Sequence, residues 1–252
     1  MNLYVVDTPD ETGLRTAEII KDRLNARPDS VLGLATGNTM ISVYNNLVKL
    51  YTRGLISFES VKTFNLDEYV GLEPTHPGSF RNFMNHYLFN HVNILPQNIH
   101  IPNGMASDLD AECSGYDRAI DESGGIDLQL LGIGLNGHIG FNEPGTQFST
   151  TTHVVELTEA TREANAVFFG SADKVPKKAL TMGIKNIMHS RCIILIAFGD
   201  AKADIVAKAL TGSITPDIPA SVLQLHPQLT VVLDKKAASK MPENCIGCHY
   251  MV

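Results

Sequence analysis

The 252 residues include no tryptophan, no cluster of Lys or Arg and no apolar run long enough to span a bilayer. With a formal charge of −7, the missing basic patch argues against nucleic acid or an anionic membrane as the main partner. An anionic small molecule stays open, because a few local donors outweigh an unfavourable net charge. No Ser-, Pro- or charge-rich linker and no internal repeat interrupts the chain, so a single domain over residues 1–252 is expected. The segment Met1 to Asp7 lacks a basic leader and a long apolar stretch, which points to the cytoplasm. The GxxxxGK[ST] pattern is missing, which excludes a Walker-type phosphate loop.

Cysteine is scarce as well, with four in all. Cys113 and Cys192 stand alone. Cys245-Ile-Gly-Cys-His249 matches the short pattern for covalent haem attachment, but that chemistry needs export and a distal axial ligand, and no leader is visible. A metal held by Cys245 and Cys248 would need two further ligands, and no second Cys/His pair stands at the usual spacing. The reading is a plain tail, and no metal is expected.

What is present is an alternation of short apolar runs and helical patterns. Leu3 to Val6, Val31 to Ala35, Val61 to Leu66, Ile126 to Ile133, His153 to Leu157, Cys192 to Phe198 and Leu229 to Leu233 read as strands. Between them, Ala17, Ile20 and Leu24 fall at helical spacing before Pro28, and Met40, Val43, Leu47 and Leu50 do so before Gly54. Helices are also expected over Ser79 to Val92, from Leu109 to Ile120 with Ser107 or Asp108 as cap, from Thr158 through Phe168, from Pro176, and over Pro219 to Leu225. This order predicts an α/β fold of the modified doubly wound, Rossmann-like kind: a mostly parallel sheet with helices on both faces.

In such folds ligands bind beyond the carboxyl ends of the strands, and four strand ends carry chemistry. After Ile126 to Ile133, Gly132, Gly134 and Gly137 let the chain turn, so that Asn136, His138 and Glu143 emerge together. An imidazole with a carboxylate five residues on has the composition of an acid/base pair, and a hydrogen-bonded loop histidine is the plainer alternative. After Val61 to Leu66 come Asp67 and Glu68, of which one can face a cleft while the other anchors the turn; a simple capping pair fits the spacing too. After Val31 to Ala35, Thr36-Gly-Asn-Thr39 opens a helix whose N-terminus suits a phosphate, or where threonine acts only as a cap. Lys202 follows Cys192 to Phe198 as another cation at a strand end.

Taken together, Phe64-Asn-Leu-Asp-Glu-Tyr-Val-Gly71, Gly134-Leu-Asn-Gly-His-Ile-Gly-Phe-Asn-Glu-Pro144 and Leu223-Gln-Leu-His-Pro227 resemble the glucosamine-6-phosphate deaminase family, and the similarity runs nearly end to end. The resemblance implies conversion of glucosamine 6-phosphate and water to fructose 6-phosphate and ammonia in amino sugar catabolism, without an organic cofactor. It implies Asp67 as the base that moves a proton between C2 and C1, His138 as the group that opens the sugar ring, and Glu143 and Asn136 as its orienting partners. Gly37, Asn38 and Thr39, with Lys202, correspond to the phosphate site. Many members have Gly-Gly-Thr-Pro where this chain has Gly37-Asn-Thr-Met40, and the turn is expected to survive because Asn tolerates left-handed backbone. Val167 stands where many members place a phosphate-binding arginine; unless Arg162 or another cation substitutes, phosphate binding is expected to be weaker. The short chain resembles the family's non-allosteric members and implies a monomer. The related 6-phosphogluconolactonases share the fold and a similar turn without its Phe-Asn-Glu-Pro continuation. A sugar-phosphate sensor would have lost the acid/base groups, and here Asp67, His138 and Glu143 are all in place.

Overall fold

The computed structural model describes residues 1–166 and 169–242. Val167, Phe168, Cys245 and Cys248, on which expectations were placed, lie outside the described residues. The chain begins with β1 (Asn2–Val6) and α1 (Pro9–Ala26). That helix starts where it does because Thr8 accepts from the Glu11 N–H while the Glu11 carboxylate accepts from the Asp7 N–H, a reciprocal arrangement that satisfies donors the helix itself leaves open. Its buried stripe is Ala17, Ile20 and Leu24. Next come β2 (Val31–Leu34), α2 (Asn38–Thr52), β3 (Lys62–Asn65), β4 (Asp67–Tyr69), α3 (Phe80–Tyr87), β5 (Ile99–His100) and α4 (Leu109–Glu122). The second half holds β6 (Leu128–Leu131), β7 (His153–Glu156), α5 (Glu159–Asn165), β8 (Lys178–Thr181), α6 (Ile184–Met188), β9 (Cys192–Ala197), α7 (Ala203–Thr211) and β10 (Leu229–Asp234).

Seven strands form one sheet in the order β1-β10-β9-β6-β2-β3-β5, every pair parallel. The chain moves toward β5 through α1, α2 and α3, and away from it through α4 and α7. Right-handed crossovers therefore place the first three helices on one face and the other two on the opposite face. The reversal falls between neighbours β2 and β6, and their carboxyl ends open the crevice where such folds bind ligands. The sheet interior is aliphatic: Ile193, Leu195, Ile196, Val231, Val232 and Leu233 are buried on both faces, as parallel strands covered by helices require.

A second sheet was not anticipated. It is antiparallel, in the order β4-β8-β7, and has a separate core of Tyr69, Phe141, Leu157, Val175 and Ala179 with Phe80 and Phe169 packed against it. The helix expected from Pro176 is corrected to β8. Proline tolerates the approach to a strand as well as the first turn of a helix, and pairing to both β4 and β7 decided between them. Likewise Asp67 to Tyr69 is a strand rather than a capping turn, and the helix expected through Val92 ends at Tyr87, followed by a 3-10 turn at Phe89–His91. Leu66 joins the two sheets: its N–H donates to Leu34 next to β3, and its carbonyl accepts from Met182 just past β8. No helix among the described residues is long and apolar enough to cross a membrane.

Candidate active site

The crevice between β2 and β6 holds a cavity of about 490 Å³. Its floor is the turn after β6. There the Gly134 N–H donates to the His138 carbonyl at 2.9 Å, and the imidazole of His138 lies so close to Gly134 that a Cβ would stand 2.2 Å from the ring. Any side chain at 134 would expel the histidine. Asn142, two residues beyond Gly140, ties the turn to the smaller sheet: its buried amide donates to the carbonyls of Ile139 and Met182. Sequence reasoning missed this residue, because Met182 is remote in the chain.

The expected trio is assembled. Asn136 donates to Glu143 Oε2 at 2.7 Å, and its own amide oxygen accepts from the His138 N–H at 3.2 Å. Glu143 Oε1 faces His138 Nδ1 at 3.6 Å, a charge contact longer than a hydrogen bond. The same oxygen accepts from the Thr161 hydroxyl of α5 at 2.5 Å. Burial alone would raise the Glu143 carboxyl, but His138, Thr161 and Asn136 outweigh it and hold the pKa down at about 2. Glu143 is thus an anion across the neutral range, suited to orienting an imidazole and to stabilising its charged form.

Across the cavity, the neighbours Asp67 and Glu68 divide the work. Glu68 accepts from the backbone N–H groups of Tyr69, Phe80 and Arg81, so it anchors β4 to the first turn of α3, where the helix dipole favours an anion. Burial raises its carboxyl and these three donors oppose the rise. Asp67 lines the cavity, and no described residue donates a hydrogen bond to its carboxyl. Burial first, and then the Glu68 charge, push its pKa from 3.8 up to about 8. A buried carboxyl without a partner is poised to exchange a proton with a ligand near neutral pH.

The other end of the cavity suits an anion. Gly37 caps α2 with φ of 98° and no side chain bonds to the first turn, leaving N–H donors open beside Thr39. Lys202 reaches the same end and donates to the Ile133 carbonyl at 2.6 Å; burial lowers its pKa, and the ammonium has two further protons to offer. Two expectations change here. The left-handed residue of the turn is Gly37, and no described residue other than glycine has positive φ, so Asn38 needs no such tolerance. Asn38 also lines a neighbouring depression with Pro9, Asp10 and Ser42 instead of this cavity. Among the described residues no group of three or more His, Cys, Asp or Glu side chains could hold a metal ion.

Residues 7–232 match the family described as glucosamine-6-phosphate isomerases/6-phosphogluconolactonase. The chain belongs to that family. The glucosamine-6-phosphate deaminase of a Clostridium botulinum strain (Langeland) is 53% identical over 241 residues, covering 96% of this chain and 99% of its own. That of Thermoanaerobacter pseudethanolicus is 50% identical over 243 residues, covering 96% of each. A solved structure described as a monomeric glucosamine-6-phosphate deaminase superposes with a TM-score of 0.93 at 49% identity, covering 95% of this chain and 100% of that one. Within the glucosamine-6-phosphate isomerase/6-phosphogluconolactonase fold, seven of the eight site residues read from sequence surround one cavity or, as Glu143 does, stand directly behind it, and Asn38, the first residue of α2, lines the neighbouring depression. Thr161 was the missing partner. It stands eighteen residues from Glu143, and no local pattern in the sequence connects the two.

Proposed function

We propose that this protein converts glucosamine 6-phosphate and water to fructose 6-phosphate and ammonia. The observation that carries the reading is a single cavity that presents a proton-accepting Asp67, to which no described residue donates, across from His138 with Glu143 behind it, and an anion-binding end at Gly37, Thr39 and Lys202. With the phosphate held by Lys202 and the open N-terminus of α2, the sugar lies along the cavity toward Asp67. His138 moves a proton from the anomeric hydroxyl to the ring oxygen, opening the ring, while Asn136 and Glu143 hold the imidazole. Asp67 then takes the C2 proton, which the C1 carbonyl has acidified, and returns it to C1. The resulting C2 imine adds water and releases ammonia, leaving the ketose phosphate. No step needs a redox or organic cofactor.

The same reading takes residues 1–252 as one domain, working as a cytoplasmic monomer in amino sugar catabolism. It is supported by the near-complete overlap with relatives bearing the deaminase name and with a structure described as monomeric. The test is a coupled assay of the purified protein for ammonia and fructose 6-phosphate, with 6-phosphogluconolactone hydrolysis followed in parallel. Equimolar release of the two products from glucosamine 6-phosphate is expected; lactone hydrolysis without ammonia release would reject the assignment.

A further inference from the structure

We infer that Thr161 is a positioning residue that sets the separation of Glu143 and His138, so that α5 governs the acid/base pair from outside the turn that carries it. The inference rests on the ring-opening role proposed for His138. Glu143 is gripped by two unlike parts of the molecule: Oε2 by Asn136 of its own turn, and Oε1 by Thr161 of α5. Oε1 is also the oxygen that faces His138 Nδ1, across 3.6 Å. Nδ1 is buried and has no hydrogen-bond partner, so this carboxylate is its natural acceptor. A carboxylate oxygen accepts two donors at once, and a movement of under about 1 Å would bring the pair to hydrogen-bonding distance. The Thr161 hydroxyl is the only other described hold on that oxygen and therefore determines whether the approach occurs.

Thr161 is itself held in place. The Thr158 hydroxyl donates to it at 3.0 Å while accepting from the Thr161 N–H, as the cap of α5. Thr161 and Asn165, one helical turn apart, both line the cavity. A ligand that presses on this helix face moves Thr161, and with it Glu143 Oε1 relative to the imidazole. Occupancy of the cavity is thereby coupled to the alignment of the histidine.

The test compares Thr161→Val, which keeps shape and removes the hydroxyl, with Thr161→Ser, which keeps the hydroxyl. With glucosamine 6-phosphate, the valine variant should lose about tenfold in kcat, a part of what general acid–base catalysis contributes, with KM within about twofold. The serine variant should return to within about twofold of the native kcat. Should the valine variant fail to fold, Thr161→Ala against Thr161→Ser isolates the same hydroxyl. Native kcat without the hydroxyl, or failure of serine to restore it, would overturn the inference while leaving the deaminase reading intact. If the native protein shows no deaminase activity, the function fails instead, and the geometry is still decided by ¹⁵N spectra of the histidine-labelled free protein. There the His138 Nδ1 resonance should shift on loss of the hydroxyl and return with serine, and an unmoved resonance would sink the proposal.

Discussion

Two buried aspartates, at opposite ends of the parallel sheet, are held in opposite ways. Asp127, at the foot of β6, is completely buried and fully engaged: Arg27 and Arg191 donate to one oxygen at 2.8 and 2.6 Å, and the Val31 N–H donates to the other. Asp67, where the chain leaves the carboxyl end of β3, is almost as buried and receives no hydrogen bond from any described residue. The foot pins β2, β6 and β9 together with a neutralised charge. At the head, a carboxyl is desolvated without compensation, which costs stability and is retained where reactivity needs it. Burial alone therefore does not mark a functional acid. The absence of partners does.

The strongest way to break this contrast is Asp67→Asn. It should lower kcat by two orders of magnitude or more, the scale of general acid–base catalysis, and leave affinity for a phosphorylated inhibitor nearly unchanged. The native enzyme should show an acidic limb in kcat/KM, falling as pH drops below about 8, because Asp67 must be ionised to accept a proton. Its effect on stability has the opposite sign. Folded Asp67 holds its proton more tightly than the unfolded chain does, so native stability declines as pH rises from 3.8 to about 8. Asp67→Asn should consequently melt above the native protein, by a margin that widens across that window. Near-normal turnover, or a melting temperature below native at pH 8, would remove Asp67 from its role.

Lys202→Ala comes next. Loss of a charge-assisted hydrogen bond worth about 1.5–3 kcal/mol should raise KM for glucosamine 6-phosphate roughly ten- to hundredfold, and barely change turnover of unphosphorylated glucosamine. Equal effects on the two sugars would confine Lys202 to its tie with Ile133. The smallest effect is expected at the foot. Asp127→Asn should cost about 2 kcal/mol, the scale of hydrogen bonds to a charged group, and lower the melting temperature by roughly 5 °C for a chain of this size, with kcat unchanged in the folded protein. A loss of kcat there, without unfolding, would erase the distinction between the two aspartates.

Much of the site was legible because its parts are local. His138, Asn136 and Glu143 fall within one turn whose glycines announce it, and the Gly37 turn stands directly between a buried strand and an amphipathic helix. Asp67 and Glu68 could be named as a pair, but which of them faces the ligand could not be read from spacing, since both follow the same strand. Their division depends on α3, whose N–H groups claim Glu68. The smaller sheet escaped notice because β4 has three residues and β8 four, too short for periodicity to separate strand from turn or helix, and β7, legible as a strand by itself, gives no sign of its partner. Thr161 and the arginines of Asp127 escaped for a related reason, being brought to their carboxylates only by the folded chain.

The sequence by itself determined the alternation of the longer strands and helices, the parallel sheet with its aliphatic interior, and the chemical types at the strand ends. Periodicity and glycine placement act over a few residues and need no tertiary context to be read. Only the tertiary structure decided that no described residue pairs with the Asp67 carboxyl while Glu68 is satisfied, that Asn38 lines a neighbouring depression, and that α5 touches Glu143. These depend on which donors arrive from distant segments, and in a buried, weakly polarisable setting the presence or absence of one donor decides whether a carboxyl is an anchor or a base.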